Sequence, residues 1–329
     1  MTTHYSPISL IRMLSLMALA CTMGACQRDF TFEDRQSGDS IKYEELSGNY
    51  IFTAADRGYG HLIDLRERVS YWIPFSSPGG SIAVDPVQHR LLGFGALSNE
   101  AVVLQEYPLP KGQWEVLDTL TLDRTRLARI TRAGDFFYCL AGTPGLPGQS
   151  LFRLSLPEFE LQRLHDFSVE DFVVGFDLHP VTNQIILRKR PWFDAEEEEF
   201  WLADPQYQNP TRLFTYPLPT CCTSFYAQMP IWHPQEEKII MIALDTTLSF
   251  DQNALFSYDL TRSTLSRINE VSLYDPTAQI CLSPDAQFLI NGEYNLTAAF
   301  TFPEGEFVSS LANFYRYYSN ASTRITYWW

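Results

Sequence analysis

The adjacent thiols of Cys221-Cys222, within Pro219-Thr220-Cys221-Cys222-Thr223, are the most chemically unusual pattern in this chain. In an oxidising compartment a vicinal disulfide would stiffen that loop. The alternatives are two separate buried thiols, or a bridge from one of them to Cys281. Cys139 completes the set of four cysteines downstream of the N-terminal region, and four thiols admit three connectivities between which sequence does not choose. No C-x-x-C spacing of the thioredoxin kind occurs, which argues against redox chemistry.

Crowded carboxylates are the second candidate. Asp194-Ala195-Glu196-Glu197-Glu198-Glu199 follows Arg188-Lys189-Arg190-Pro191-Trp192. Such a run can attract calcium or a basic partner. It lacks the alternating spacing of a calcium loop, however, so a solvated loop between strands is the plainer expectation. Glu196, Glu197, Glu198 and Glu199 are kept as an acidic interaction loop. His179 and His233 each precede a proline, which points to a turn role, and His61 and His89 have no companions that would make them metal ligands. The chain has no G-x-S-x-G elbow, no H-E-x-x-H, no P-loop and no G-x-G-x-x-G opening a helix. No catalytic, cofactor-binding or metal-binding residue is therefore assigned, and no cofactor is expected.

The other two of the six cysteines, Cys21 and Cys26, belong to the N-terminal segment. Arg12 is the one charged residue of the first 25, and Met13-Leu14-Ser15-Leu16-Met17-Ala18-Leu19-Ala20 follows it. That apolar run is far short of the roughly 20 residues a helix needs to cross a bilayer, so residues 1–25 read as a cleaved export signal. Ala18-Leu19-Ala20-Cys21 and Met23-Gly24-Ala25-Cys26 both resemble a bacterial lipobox, whose cysteine receives a lipid. Cys26 is favoured because it leaves an apolar core of ordinary length, with Cys21 as the alternative. An ordinary secretory cleavage nearby would leave a soluble periplasmic protein. Gln27 or Thr22, rather than Asp, follows the cysteine, and the resemblance then implies an outer-membrane anchor facing the periplasm, or a surface-exposed protein.

These residues must be carried by a scaffold, and the scaffold repeats. Ile82-Ala83-Val84-Asp85-Pro86, Phe176-Asp177-Leu178-His179-Pro180, Pro230-Ile231-Trp232-His233-Pro234 and Ile280-Cys281-Leu282-Ser283-Pro284-Asp285 share one design: an apolar strand, a polar residue, proline, a short turn and a second apolar strand. The prolines stand 94, 54 and 50 residues apart, so the wide gap should hold a degenerate copy. Ala128-Arg129-Ile130-Thr131-Arg132-Ala133-Gly134-Asp135 followed by Phe136-Phe137-Tyr138-Cys139-Leu140 fills it. Two further strands follow in each unit, and repeats of this length mark propellers. An all-β single six-bladed β-propeller of four-stranded antiparallel blades is predicted over residues 48–329, with seven blades as the alternative. Residues 26–47 form a polar tether. The first unit has three strands of its own, and its fourth comes either from Ile41 to Leu46 or, as favoured here, from Arg324-Ile325-Thr326-Tyr327-Trp328-Trp329. An aromatic C-terminus also suits an outer-membrane barrel, but these strands are shorter than the roughly 10 residues a barrel needs.

The string Ile280-Cys281-Leu282-Ser283-Pro284-Asp285-Ala286-Gln287-Phe288-Leu289-Ile290 is similar to the Ser-Pro-Asp-Gly repeat of the TolB-like, WD40-like propellers, and Trp232-His233-Pro234 fits the same slot. Most copies here carry Asp-Pro or His-Pro instead, and Ala286 replaces the usual glycine. TolB has an additional N-terminal α/β domain for which Gln27 to Ser47 leave no room. The resemblance implies a fold and little about function, because propellers host many activities. Lys+Arg 24 against Asp+Glu 39 gives a net charge of -15, which disfavours nucleic acid and anionic headgroups. The expected function is a monomeric, exported lipoprotein whose propeller is a binding scaffold at the cell envelope for a protein or small ligand, with membrane contact through the lipid alone. The alternative is a propeller enzyme of hydrolase or lyase type with its site at the channel mouth, and a spacer role is a third possibility.

Overall fold

Apolar runs of about seven residues closed by polar, proline-containing turns make strands that reverse and pair with their predecessors. In the computed structural model this yields 25 strands among the described residues. The residues described are 33–35, 50–55, 59–64, 69–74, 79–85, 87–97, 101–109, 112–131, 133–143, 147–156, 158–190, 196–217, 230–244, 253–270, 279–283, 285–293, 296–313 and 323–328.

The N-terminal strands are β1 (Glu33–Arg35), β2 (Tyr50–Ala55), β3 (Tyr59–Asp64) and β4 (Val69–Pro74). Five consecutive meanders follow. They are β5 (Gly79–Asp85), β6 (Arg90–Ala96), β7 (Val102–Pro108) and β8 (Glu115–Leu120); β9 (Asp123–Ile130), β10 (Phe136–Gly142), β11 (Gln149–Ser155) and β12 (Leu161–Phe167); β13 (Phe172–Leu178), β14 (Ile185–Arg190), β15 (Glu197–Ala203) and β16 (Thr211–Pro217); β17 (Ile231–Trp232), β18 (Lys238–Leu244), β19 (Asn253–Asp259) and β20 (Thr264–Glu270); and β21 (Gln279–Leu282), β22 (Phe288–Glu293), β23 (Leu296–Thr301) and β24 (Phe307–Asn313). The last strand is β25 (Thr323–Trp328).

Each meander is a four-stranded antiparallel blade paired in chain order. The degenerate copy takes its expected place, with Phe137 opposite Ile130 and Cys139 opposite Ala128. The blade count is where expectation and structure differ. Five blades are four-stranded, whereas the remaining strands form a five-stranded sheet in the order β1-β4-β3-β2-β25. Part of the expected tether is strand: Glu33–Arg35 pairs in parallel with Val69 to Tyr71. Beside β2 lies the C-terminal strand, with Tyr50 opposite Trp328 and Ala55 opposite Thr323.

The cores lie between blades, because each sheet has an apolar side facing either neighbour. Phe94 and Leu104 of one blade meet Phe137 and Phe152 of the next, the Phe94 and Phe137 rings touching edge to face at 5.0 Å. Leu140, Leu151, Phe176 and Leu187 fill the next seam, and Ile240, Leu255, Leu282 and Phe300 fill that between the β17–β20 and β21–β24 blades. Each such side chain contributes about 1.5–3 kcal/mol when fully buried. The first strand of every blade stands innermost, where β5 touches β9, β9 touches β13, β13 touches β17, β17 touches β21, and β25 touches both β21 and β5. Among the described residues no helix is long and apolar enough to cross a membrane.

Candidate functional site

Chemistry in this fold has to come from the turns and the innermost strands. The residue that ends each innermost strand proves to be a buried cap. Asp85 Oδ1 accepts the main-chain N–H groups of Val87 and Gln88 at 3.0 and 3.1 Å, while its Oδ2 accepts from Arg90 Nε. His179 Nδ1 accepts from Val181 and Thr182, His233 Nδ1 from Gln235 and Glu236, and Ser283 Oγ from Gln287 and Phe288. In the degenerate copy Thr131 Oγ1 accepts the Phe136 N–H. That copy lacks the proline, and Gly134 turns its chain at φ +70° with Asp85 Oδ1 only 3.0 Å from where a Cβ would stand. The two histidines are thus turn residues, as their place before proline predicts.

Accepting two N–H groups at Nδ1 requires the His233 ring to be neutral, with its proton on Nε2. Burial lowers its pKa from the ordinary value; Glu236 opposes the shift and Lys238 adds to it. A folded-state pKa below the unfolded one means that the stabilisation is complete above about pH 6.5 and is lost as pH falls through the folded value. We expect His233→Ala to cost about 1–2 kcal/mol at pH 7.5, since two N–H groups lose their acceptor. His233→Asn, which keeps an acceptor without a titrating ring, should retain most of the stability and flatten its pH dependence between 5 and 7. Urea unfolding across that range checks both.

Two residues back from the caps, at one level of the innermost strands, stand Ala83, Arg129, Asp177, Ile231 and Cys281. Here the structure brings charges together across blades. Arg129 Nε donates to Asp177 Oδ1 at 3.1 Å, and Asp177 Oδ2 accepts the Trp232 main-chain N–H at 3.2 Å. One carboxylate therefore links β9, β13 and β17. Both side chains of the pair remain partly exposed. Burial pushes the Asp177 carboxyl up, against the pull of Arg129 and of the Trp232 N–H. Burial likewise raises the Cys281 thiol, and it drives Cys139, in its apolar seam, up to about 12. Both are free, buried thiols and stay protonated at neutral pH, which makes them poor nucleophiles.

Over its described residues, 196–199, the acidic run is not the solvated loop expected from its composition. Glu197, Glu198 and Glu199 lie in β15, and their side chains alternate between its faces. Glu198 is fully buried and holds Arg188 in a bidentate pair, Nε to Oε2 at 2.7 Å and Nη2 to Oε1 at 2.5 Å. Glu199 accepts from Trp201 Nε1 and from Arg212. Glu196 and Glu197 are left exposed. On the opposite face of β14 the buried Lys189 ammonium pairs with Asp171 at 2.9 Å and lies 4.5 Å from the Trp201 ring. Among the described residues no group of His, Cys, Asp and Glu could hold a metal ion. Cys21, Cys26, Cys221 and Cys222 lie outside the described residues.

Sequence reasoning missed the Arg129–Asp177 pair. Its one signal was positional: aligning the repeats on their caps puts both residues at the same level, where the other copies have Ala, Ile or Cys.

The fold defines the protein as an all-β propeller of four-stranded antiparallel blades. No protein-family model matches the sequence, and no curated protein matches it either. Solved structures do. A chain of the nidogen/laminin complex is similar with a TM-score of 0.60 at 11% identity, over 85% of this chain and 98% of that one. TolB from Acinetobacter baumannii is similar with a TM-score of 0.57 at 13% identity, over 86% of this chain and 67% of that one. An oligogalacturonate lyase in complex with manganese gives 0.53 at 10% identity, over 80% and 74%. The propeller fold read from the repeat is therefore shared with these structures, and identities this low speak to the fold alone.

Proposed function

We propose that this chain is an exported lipoprotein, anchored through Cys26 or alternatively Cys21, whose propeller is a binding scaffold at the cell envelope for a protein or small ligand. The five-stranded sheet is its sixth blade, with β25 in the innermost place, and β1 is an added outer strand. The protein works as a monomer on the periplasmic side of the outer membrane. The observation that carries the binding reading is the Arg129–Asp177 pair. It is partly exposed in the central wall, yet each charge is engaged by the other and Asp177 also by a main-chain N–H. Such a fixed, neutral arrangement suits recognition better than proton transfer, which needs a group free to change its protonation state.

The test compares material purified from envelopes after crosslinking, using the wild type and an Arg129→Gln/Asp177→Asn double variant that keeps shape and removes charge. Loss of a captured species from the variant, at unchanged thermal unfolding, is expected. An identical captured set would overturn the role of the central wall. Metabolic labelling with an alkyne fatty acid tests the anchor: label lost in Cys26→Ala assigns that residue, label lost in Cys21→Ala assigns the alternative, and an unlabelled wild type removes the lipoprotein reading.

A further inference from the structure

A groove of about 460 Å³ opens at the seam between the β17–β20 and β21–β24 blades. Strand pairing explains why it is open. Ile240, Ser257 and Ser266 are cross-strand neighbours, and Lys238, Asp259 and Thr264 form the adjacent row on the same face. The residue equivalent to Ser257, counted from the cap of each preceding blade, is Glu106, Arg153 or Leu202, all long side chains. Leu202 packs into its seam against the cluster of Ile186, Trp232, Ile239 and Tyr258. A serine at that place, paired with a second serine, leaves the corresponding space empty.

The groove has an apolar floor, to which Ile240, Ile268, Phe302 and Pro303 contribute. At its rim the Arg262 side chain is 81% exposed, and its Nε stands 3.9 Å from Asp259 Oδ2, too far for a hydrogen bond. Asp259 instead accepts the Arg262 main-chain N–H at 2.9 Å. Lys238, the other cation of the groove, is engaged by Glu236. Among the described residues this guanidinium has only the loose ion pair to Asp259 and no hydrogen-bonded counter-ion, and in a groove with an apolar floor and two serine hydroxyls it is complementary to one kind of ligand.

We propose that this groove binds a small molecule carrying one carboxylate on an apolar body. The carboxylate takes the Arg262 guanidinium in a bidentate pair, the apolar part lies on Ile268 and Phe302, and Ser257 and Ser266 satisfy any further polar atom. The site is distinct from the central Arg129–Asp177 pair and does not depend on the scaffold reading.

Ligand-observed fluorine NMR on the full chain tests it, with 3-(4-fluorophenyl)propionate as probe and the matching primary amide as control. A fragment of this size should bind with a Kd of about 1 mM, and the amide about tenfold more weakly. Arg262→Gln should erase that preference by weakening the carboxylate alone, and because Arg262 is a surface residue this variant is expected to fold. Ser257→Leu should fill the groove and abolish binding of both compounds without lowering the melting temperature. Absence of probe binding to the wild type, equal binding of acid and amide, or binding unchanged in both variants would each overturn the proposal. If Ser257→Leu does not fold, the Arg262→Gln comparison decides alone.

Discussion

A chain lacking Thr323–Trp329 is expected to lose most of its stability and to aggregate. β25 pairs with all six residues of β2, from Tyr50 opposite Trp328 to Ala55 opposite Thr323, and it touches β21 on one side and β5 on the other. Its removal strips β2 of that partner and interrupts the cycle of contacts among innermost strands. At about 0.5–1.5 kcal/mol net per hydrogen bond, a six-residue pairing is worth on the order of 5 kcal/mol before any packing is counted. That is comparable with the whole stability of a typical domain, about 5–15 kcal/mol. The freed edge of β2 would also present unpaired N–H and C=O groups, the template that exposed sheet edges offer to other chains. Size-exclusion chromatography and thermal unfolding measure the effect, and a synthetic peptide of residues 323–329 added in trans should restore part of the non-aggregated fraction. A truncated chain that melts with the wild type would show that β25 closes nothing.

What the sequence disclosed and what it concealed separate by distance along the chain. The caps were legible because a buried polar residue, a proline and a hairpin turn are neighbours in sequence, and their physics is local. The degenerate copy was legible for the same reason, once Gly134 stood in for the proline. The Arg129–Asp177 pair was not, since its members are 48 residues apart and meet only when two blades stand side by side. The acidic run misled in a more instructive way. Four consecutive glutamates look like a solvated loop when charge is summed over a window. A strand separates them by face, so that Glu198 turns inward toward Arg188 while Glu197 turns out. Nothing short of the pairing of β14 with β15 distinguishes the two readings.

That inward glutamate gives the second large effect. Glu198→Ala should destabilise the protein by about 3–5 kcal/mol, because it strands the buried Arg188 guanidinium without its carboxylate. The double substitution Arg188→Met/Glu198→Leu should recover most of that loss, and a buried pair replaced by apolar residues of similar size is often neutral or even stabilising by about 1–4 kcal/mol. Urea unfolding of the two single variants and the double variant gives the coupling. The exposed Arg212–Glu199 contact is the internal control: its contribution should be about 0–1 kcal/mol and should fade with added salt, while the buried pair should be nearly insensitive to it. Arg188 and Glu198 share the strand face of Ile186 and Phe200, which pack against Trp232 and Met241 of the β17–β20 blade. If the double variant is as stable as the wild type, the pair contributes little net free energy, and its place in this seam is explained by specificity. A charge that can be buried only opposite its partner fixes the register of β15 on β14, where a one-residue slip would turn Glu198 out and Glu199 in.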